Sequence, residues 1–452
     1  MIQRSLQDKL DTFDDTLSAL RDSDIVGTPQ PDSRPRALEY TNWIDEQMSW
    51  KETCYIGDWS FMPDLHVQGP EALDLWRDLT VNTFEEFPVG KAKHAVQCNK
   101  DGYVIGDGIL YRQDDNYYRS QHLARWPMFN AEKHGYDVDL EIRDTFLFQV
   151  QGPNSLALME SMTDKSLIDI PFMHIDTVEI DGVEVIALRQ GMSGEVGFEF
   201  QGDMEDANHV WDAIVEAGQD YGIKQLGIRT HNINHLEMCF PTRGHHYLPA
   251  IFDDHMREYR EYLDAENAAE AKFTIAGSYE ADDVSEYYRT PVDLNWDRNI
   301  NFDHDFVGRE ALKDVVENPT KKTVTLVWDS DDVVDVFASL FESGLPHKWM
   351  EIPYQNYRVI EADSVLHDDE VVGMSAGRGY SYYFREMLSL ATIDIEHATP
   401  GTEVTVVWGE GENPDNPRIS DHEPKEITAT VAPAPYKEDR RREDLEQVAS
   451  GN

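Results

Sequence analysis

Cysteine is nearly missing from this chain: three in 452 residues, Cys54, Cys98 and Cys239, widely spaced and never in a CxxC pair. A scattered, odd-numbered set suits a reducing compartment and excludes a thiolate zinc site. Positive charge is scarce too, with 39 Lys and Arg against 87 Asp and Glu and a formal net charge of −48. Nucleic acid and anionic membranes both require a basic face, so neither is expected as a partner. No stretch approaches the roughly 18 apolar residues of a membrane span. Met1 to Asp32 is polar and has no signal-peptide core. A soluble, cytoplasmic protein is expected.

Three motifs fall short of the chemistry they suggest. Gly106-Asp-Gly108 lacks the third glycine of a dinucleotide fingerprint. His245-His246 lacks the HExxH spacing, and no metal site is expected there or elsewhere. Gly373-Met-Ser-Ala-Gly377 has the spacing of a nucleophile elbow, but Arg378-Gly-Tyr-Ser-Tyr-Tyr383 follows it. That is turn and strand chemistry where an elbow needs a helix, so a serine hydrolase is not expected.

What the chain does have is core-forming capacity: 40% hydrophobic residues and ten Trp. The acid excess is therefore a surface property, not a mark of disorder. Self-repulsion of that size destabilises a compact state at low ionic strength, a halophilic pattern that predicts a salt requirement. The length predicts two or three domains.

Residues 1–35 read as a short amphipathic helix and linker, with Leu6, Leu10, Phe13, Leu17 and Leu20 at helical spacing. Residues 36–145 alternate short strands and helices, a first α+β subdomain. Residues 146–320 repeat that grammar as a second one, in which 242–300, rich in Tyr, Trp and charge, is expected to cap a cleft. Residues 321–437 turn to evenly spaced strands, which predict a small β-barrel. Residues 438–452 read as a frayed charged tail.

One stretch carries more chemistry than the rest: Arg189-Gln-Gly-Met-Ser-Gly-Glu-Val-Gly-Phe-Glu-Phe200. A strand, a glycine-rich bend and a second strand follow one another, and alternation sets Glu199 on the face opposite Phe198 and Phe200. A carboxylate so placed accepts two N–H groups from a flat heterocycle, or is a solvated strand residue.

Four more segments occur with it in order: Val81-Asn82 followed by Gly90-Lys-Ala-Lys-His94, Asp101-Gly-Tyr-Val-Ile-Gly-Asp-Gly-Ile109, Val150-Gln-Gly-Pro-Asn-Ser155 and Phe306-Val-Gly-Arg-Glu-Ala-Leu312. Together they resemble the tetrahydrofolate-dependent aminomethyltransferase (glycine-cleavage T-protein) superfamily. Gly379-Tyr-Ser-Tyr382, Leu388-Ser-Leu-Ala-Thr-Ile-Asp394 and Val431-Ala-Pro-Ala-Pro-Tyr436 narrow the likeness to the O-demethylases of vanillate, 3-O-methylgallate and syringate. The resemblance spans roughly Tyr40 to Tyr436. It implies an α+β fold of three domains, two related subdomains forming a folate cleft and a C-terminal β-barrel, in a monomer or homodimer.

The resemblance also implies site residues. Glu199 is placed as the carboxylate that holds the pterin, Gln151 as a second contact, and Glu195 and Arg229 as further cofactor-side groups. Glu195 reads equally well as a turn-surface charge, and Arg229 as an inter-domain salt bridge. Asp107 matches the family's catalytic aspartate. The donor side departs from the pattern: Ser120, beside Gln121, stands where aryl-acid demethylases carry a carboxylate-gripping arginine. Phe252 follows Pro249-Ala-Ile251 where they carry a tyrosine acid, and His94 stands where tyrosine is usual. Tyr247 or His246 is then the expected proton donor.

The expected activity is methyl transfer from a small O-methyl aromatic acid to N5 of tetrahydrofolate. A sulfonium or betaine donor such as dimethylsulfoniopropionate is the rival, caged by Trp59, Phe61, Trp126, Tyr247 and Phe252. Glycine-cleavage aminomethyl transfer lacks its second arginine, with His235 nearest. A folate-binding protein without catalysis is the remaining alternative.

Overall fold

The computed structural model describes residues 37–265, 274–354, 359–411 and 419–450. The helix expected in residues 1–35 lies outside them. Two mixed α+β layers and a closed barrel form the body, as expected, with a small parallel pair of strands, Thr274–Ala276 and Val359–Glu361, beside them.

The first sheet has five antiparallel strands, in the order Ala92–Cys98, Val104–Asp114, Tyr117–Gln121, Asp64–Gln68 and Asp139–Arg143. One face, carrying Leu65, Ala95, Leu110 and Tyr118, is buried against the helices Ala72–Leu79 and Arg125–His134. The opposite residues of the same strands, among them His94, Asp107, Tyr111, Arg119 and Gln121, therefore share the inner face.

The second sheet has six strands, in the order Ile223–Gln225, Cys54–Asp58, Thr145–Gln151, Gly197–Asp203, Val183–Arg189 and Ile175–Ile180. Phe146, Phe148, Val150, Phe198 and Phe200 alternate onto one face and bury it beneath the helix Ala207–Ala217. The inner faces of the two sheets meet where Ala92 and Tyr111 pack on Leu188. Gln201 Nε2 donates across that contact to the Tyr111 hydroxyl at 2.6 Å.

The barrel runs Lys321–Trp328, Glu386–Asp394, Glu370–Ser381, Asp363–His367, Glu403–Trp408 and Lys425–Ala432. Asp363–His367 is a strand the sequence pattern does not flag. Gly373–Gly377 lies inside the strand Glu370–Ser381, where buried Ser375 hydrogen-bonds Ser389 at 2.8 Å, so no nucleophile elbow exists. Buried Glu237 ties the barrel to the rest. Its carboxylate accepts from Ser381 Oγ at 2.7 Å and Trp50 Nε1 at 3.0 Å, and pairs with Lys51 at 2.7 Å.

Two expectations of organisation need correction. The strand Cys54–Asp58 belongs to the second sheet, parallel to Ile223–Gln225 and antiparallel to Thr145–Gln151. Its run of Cys, Tyr and Ile is buried, and only the second sheet offers it two neighbours. The segment after residue 437 is not a frayed end either. Arg441 and Leu445 are buried and Lys437 pairs with buried Glu195, so this stretch docks on the second sheet, closing with the helix Leu445–Ser450.

Candidate active site

Glu199 is 3% exposed on the strand Gly197–Asp203. Its Oε1 accepts from Gln149 Nε2 at 2.8 Å and from Gln190 Nε2 at 2.9 Å. Burial pushes its carboxyl up to about 7 against those two hydrogen bonds. Next to it Gln151 Oε1 accepts from the Tyr55 hydroxyl at 2.9 Å, and from Ser193 through N at 3.0 Å and Oγ at 2.8 Å. Asn234 reaches the same tyrosine at 3.4 Å. Close approach explains the glycines: a Cβ on Gly191 would sit 2.3 Å from the Gln151 side chain, and Gly194 has φ +76°. The result is a buried carboxylate among amide and hydroxyl groups on a sheet face, an acceptor set that suits the amino and ring N–H edge of a pterin.

On the inner face of the first sheet, Asp107 forms a second cluster. Gly106 and Gly108 flank it because neighbours press close: a Cβ on Gly108 would lie 2.2 Å from the Gln121 carbonyl. His94 Nε2 lies 2.9 Å from Asp107 Oδ2, and the Tyr247 hydroxyl donates to Oδ1 at 3.3 Å. Asn299 Nδ2 donates to His94 Nδ1 at 3.0 Å, which leaves the ring proton on Nε2, facing Asp107. The Trp296 ring meets His94 and Tyr247 edge-on, so residues of the segment 242–300 pack against this cluster.

Burial raises the Asp107 carboxyl, but the His94 hydrogen bond, with the Arg243 guanidinium as a fixed positive charge nearby, outweighs it and holds Asp107 below its ordinary range. The Tyr247 hydroxyl is pushed far above its usual value by burial and then by Asp107. Asp107 is thus ionised and Tyr247 protonated at neutral pH.

The remaining sequence-based candidates divide. Gln121 lies on the inner face and accepts from the Tyr111 hydroxyl at 3.0 Å. Ser120 does not: it pairs with Leu65 and Leu110 on the apolar face, so it faces no donor. Trp126 packs on Tyr259 in the first core, while Phe252 divides its contacts between that core and a neighbouring cluster. Trp59 and Phe61 lie beside His231 instead, and Tyr247 beside Trp296. The five aromatics do not converge into one cage. Burial drives His246 down to about 3, Thr242 N donates to its Nδ1 at 2.8 Å, and its ring abuts Gly377 of the barrel. A neutral ring wedged there is no proton donor. Glu195 is taken by Lys437 and by Arg440 at 3.3 Å. Arg229 joins Glu39 to the Ile352 carbonyl, the inter-domain tie.

Tyr55, Gln149, Gln190, His122, Arg243 and Asn299 go unnoticed in the sequence. Gln149 and Gln151 had a signal: they alternate with Phe146, Phe148 and Val150, which puts both on the face of Glu199. His122 had none. It sits at φ +74°, its Nδ1 donates to the Asp107 carbonyl at 2.9 Å, and its Nε2 accepts from Arg243 at 3.4 Å.

A buried polar cradle on one sheet and an acid–base cluster on the sheet packed against it are the equipment of a group-transfer enzyme with a bound co-substrate. The model of the GCVT N-terminal domain matches residues 30–251. A syringate O-demethylase of Sphingobium sp. is 35% identical over 452 residues, covering 96% of this chain and 96% of that protein. A sesamin methylene transferase of Sinomonas sp. is 35% identical over 415 residues, covering 88% and 90%. The crystal structure of the glycine cleavage system aminomethyltransferase T from Bartonella henselae superposes with a TM-score of 0.63 at 15% identity, covering 89% of this chain and 91% of that one, and shares the fold. The chain belongs to the GCVT aminomethyltransferase family, whose demethylases and aminomethyltransferases use tetrahydrofolate as acceptor.

Proposed function

We propose that this protein removes the methyl group of a small O-methyl aromatic acid, with Glu199, Gln151 and their amide neighbours holding the tetrahydrofolate and the Asp107 cluster holding the donor. The observation that carries this reading is the hydrogen bond from Tyr247 to Asp107. An aryl ether departs as a phenolate, whose conjugate acid has a pKa near 10, so its loss is costly without an acid nearby. Tyr247 fills the role that Phe252 cannot. When bound, tetrahydrofolate supplies N5 as the nucleophile for the methyl carbon. Ionised Asp107 takes the proton shed at the acceptor nitrogen, Tyr247 gives one to the departing oxygen, and the bond between them returns a proton to Tyr247.

Arg243, with His122 behind it, is the cation assigned to the donor's carboxylate. Its Nη1 reaches the Ile105 carbonyl at 3.4 Å, beside Asp107. Gathering arginine and histidines there runs against a chain with 87 acidic residues, which supports an anionic ligand. An onium donor would want an aromatic cage, and the aromatics are scattered. Glycine cleavage is disfavoured because His235, where a second arginine is usual, is driven down to about 4 by burial. Among the described residues, no helix is long and apolar enough to cross a membrane. We read the protein as cytoplasmic and, from its charge, salt-requiring; native circular dichroism lost only above molar salt would contradict that.

The test is Tyr247→Phe in single turnover with syringate and saturating tetrahydrofolate, reading 5-methyltetrahydrofolate by mass. A loss of about 10²-fold or more is expected. Full activity would sink the ether reading. The donor panel includes sesamin, since one relative is named for methylene transfer, and the product mass separates methyl from methylene.

A further inference from the structure

The C-terminal segment and the glycine loop interleave residue by residue. Along Gln190–Glu195, Gln190 holds Glu199 and Ser193 holds Gln151. The groups between and after them are held from the other side. Arg441 Nη1 donates to the Gly191 carbonyl at 3.2 Å, Arg440 N donates to the Gly194 carbonyl at 2.8 Å, and Lys437 pairs with Glu195. The segment is anchored at both its ends. Lys437 N donates to the Glu237 carbonyl at 2.8 Å, and Leu445 is buried in the core of the second sheet. A short loop with two glycines has many conformations of its own, and only some of them point Gln190 and Ser193 inward.

We infer that the segment from Lys437 to Leu445 is a strap that sets the glycine loop for tetrahydrofolate, with Lys437 as its main positioning residue. The inference rests on Glu199 and Gln151 forming the cofactor end of the site. Lys437 touches no reacting atom; it acts through Glu195. Its effect should therefore fall on cofactor affinity and leave chemistry at saturation intact.

Lys437→Met is the first test. The expected result is a rise of about tenfold in the Kd for tetrahydrofolate, the scale of one lost hydrogen bond to a charged group. The turnover number at saturating tetrahydrofolate and the KM for syringate should stay near wild type, and Lys437→Arg should restore affinity. An unchanged Kd in a folded variant, or a parallel fall in cofactor affinity, donor affinity and turnover, overturns the strap. Because Lys437→Met leaves buried Glu195 with Arg440 as its remaining partner, a second measurement uses wild-type protein. Hydrogen exchange with and without tetrahydrofolate should show residues 190–195 and 437–445 gaining protection together. Protection of the loop alone sinks the strap and spares the cofactor reading, whereas a wild-type protein that binds no tetrahydrofolate sinks both.

Discussion

The two halves of the cleft were built under different constraints. On the second sheet, the groups around Glu199 sit in regular strands and one tight loop, and each partner is an amide, a hydroxyl or a carboxylate at a fixed register. On the first sheet, the groups around Asp107 come from two strands, a residue in left-handed conformation and the long segment 242–300. On the proposed assignment, one half serves a ligand whose donor edge does not vary, and the other serves the donor, which differs between the names of two relatives, one for syringate and one for sesamin. A ligand that stays the same leaves its trace in strand alternation. A ligand that changes leaves it in loops, where spacing carries little information.

The sharpest way to break this comparison is Asp107→Asn. It should cut methyl transfer by about 10²-fold or more while leaving tetrahydrofolate affinity within a few-fold. Calorimetry beside single turnover decides it, and a variant that still turns over removes Asp107 from the chemistry.

Glu199→Gln should do the reverse, weakening tetrahydrofolate binding by roughly 2 kcal/mol because one acceptor becomes a donor facing a donor. Affinity should also depend on pH in the wild type. The folded Glu199 titrates near 7, above its ordinary value, so the free protein favours the protonated form and loses stability as pH climbs from the ordinary carboxyl range through about 7. The ionised form is the one that accepts two N–H groups, so tetrahydrofolate affinity should rise over the same window and level off above it. A flat profile for wild type, or the same slope in Glu199→Gln, would separate the carboxylate from the ligand.

The smallest effect is expected at His246→Gln. Turnover of the folded variant should stay within a few-fold of wild type, in contrast to Tyr247→Phe. A large loss at His246 would mean that its ring moves to Asp107 during the reaction.

How much of this was legible in the sequence follows the same divide. Alternation set Glu199 on the face opposite Phe198 and Phe200, and even strand spacing marked the barrel, whereas Gln151 and Asp107 entered through the family resemblance. Ser120 was misread by a single position. Its neighbour Gln121 faces the cleft, and one step along a strand reverses the face. Glu195 looked like a cofactor ligand because its partners, Lys437 and Arg440, are more than two hundred residues away, in a stretch whose charges read as solvated. His246 and Tyr247 could not be told apart, since adjacent residues in a loop carry no periodicity to say which faces the aspartate.

The exchange of Cys54–Asp58 into the second sheet also sets a timetable for folding. Its neighbours are Thr145–Gln151 and Ile223–Gln225, so this buried strand has no partner until the chain has been made as far as residue 151, and lacks its second neighbour until residue 225. At ordinary rates of synthesis that delay is on the order of ten seconds or more. Contacts so distant in sequence form late because loop closure must come first. The second sheet therefore depends on a strand made before any of the first sheet's, and an excised N-terminal piece would carry Cys54–Asp58 with no sheet to join, an apolar strand prone to aggregation.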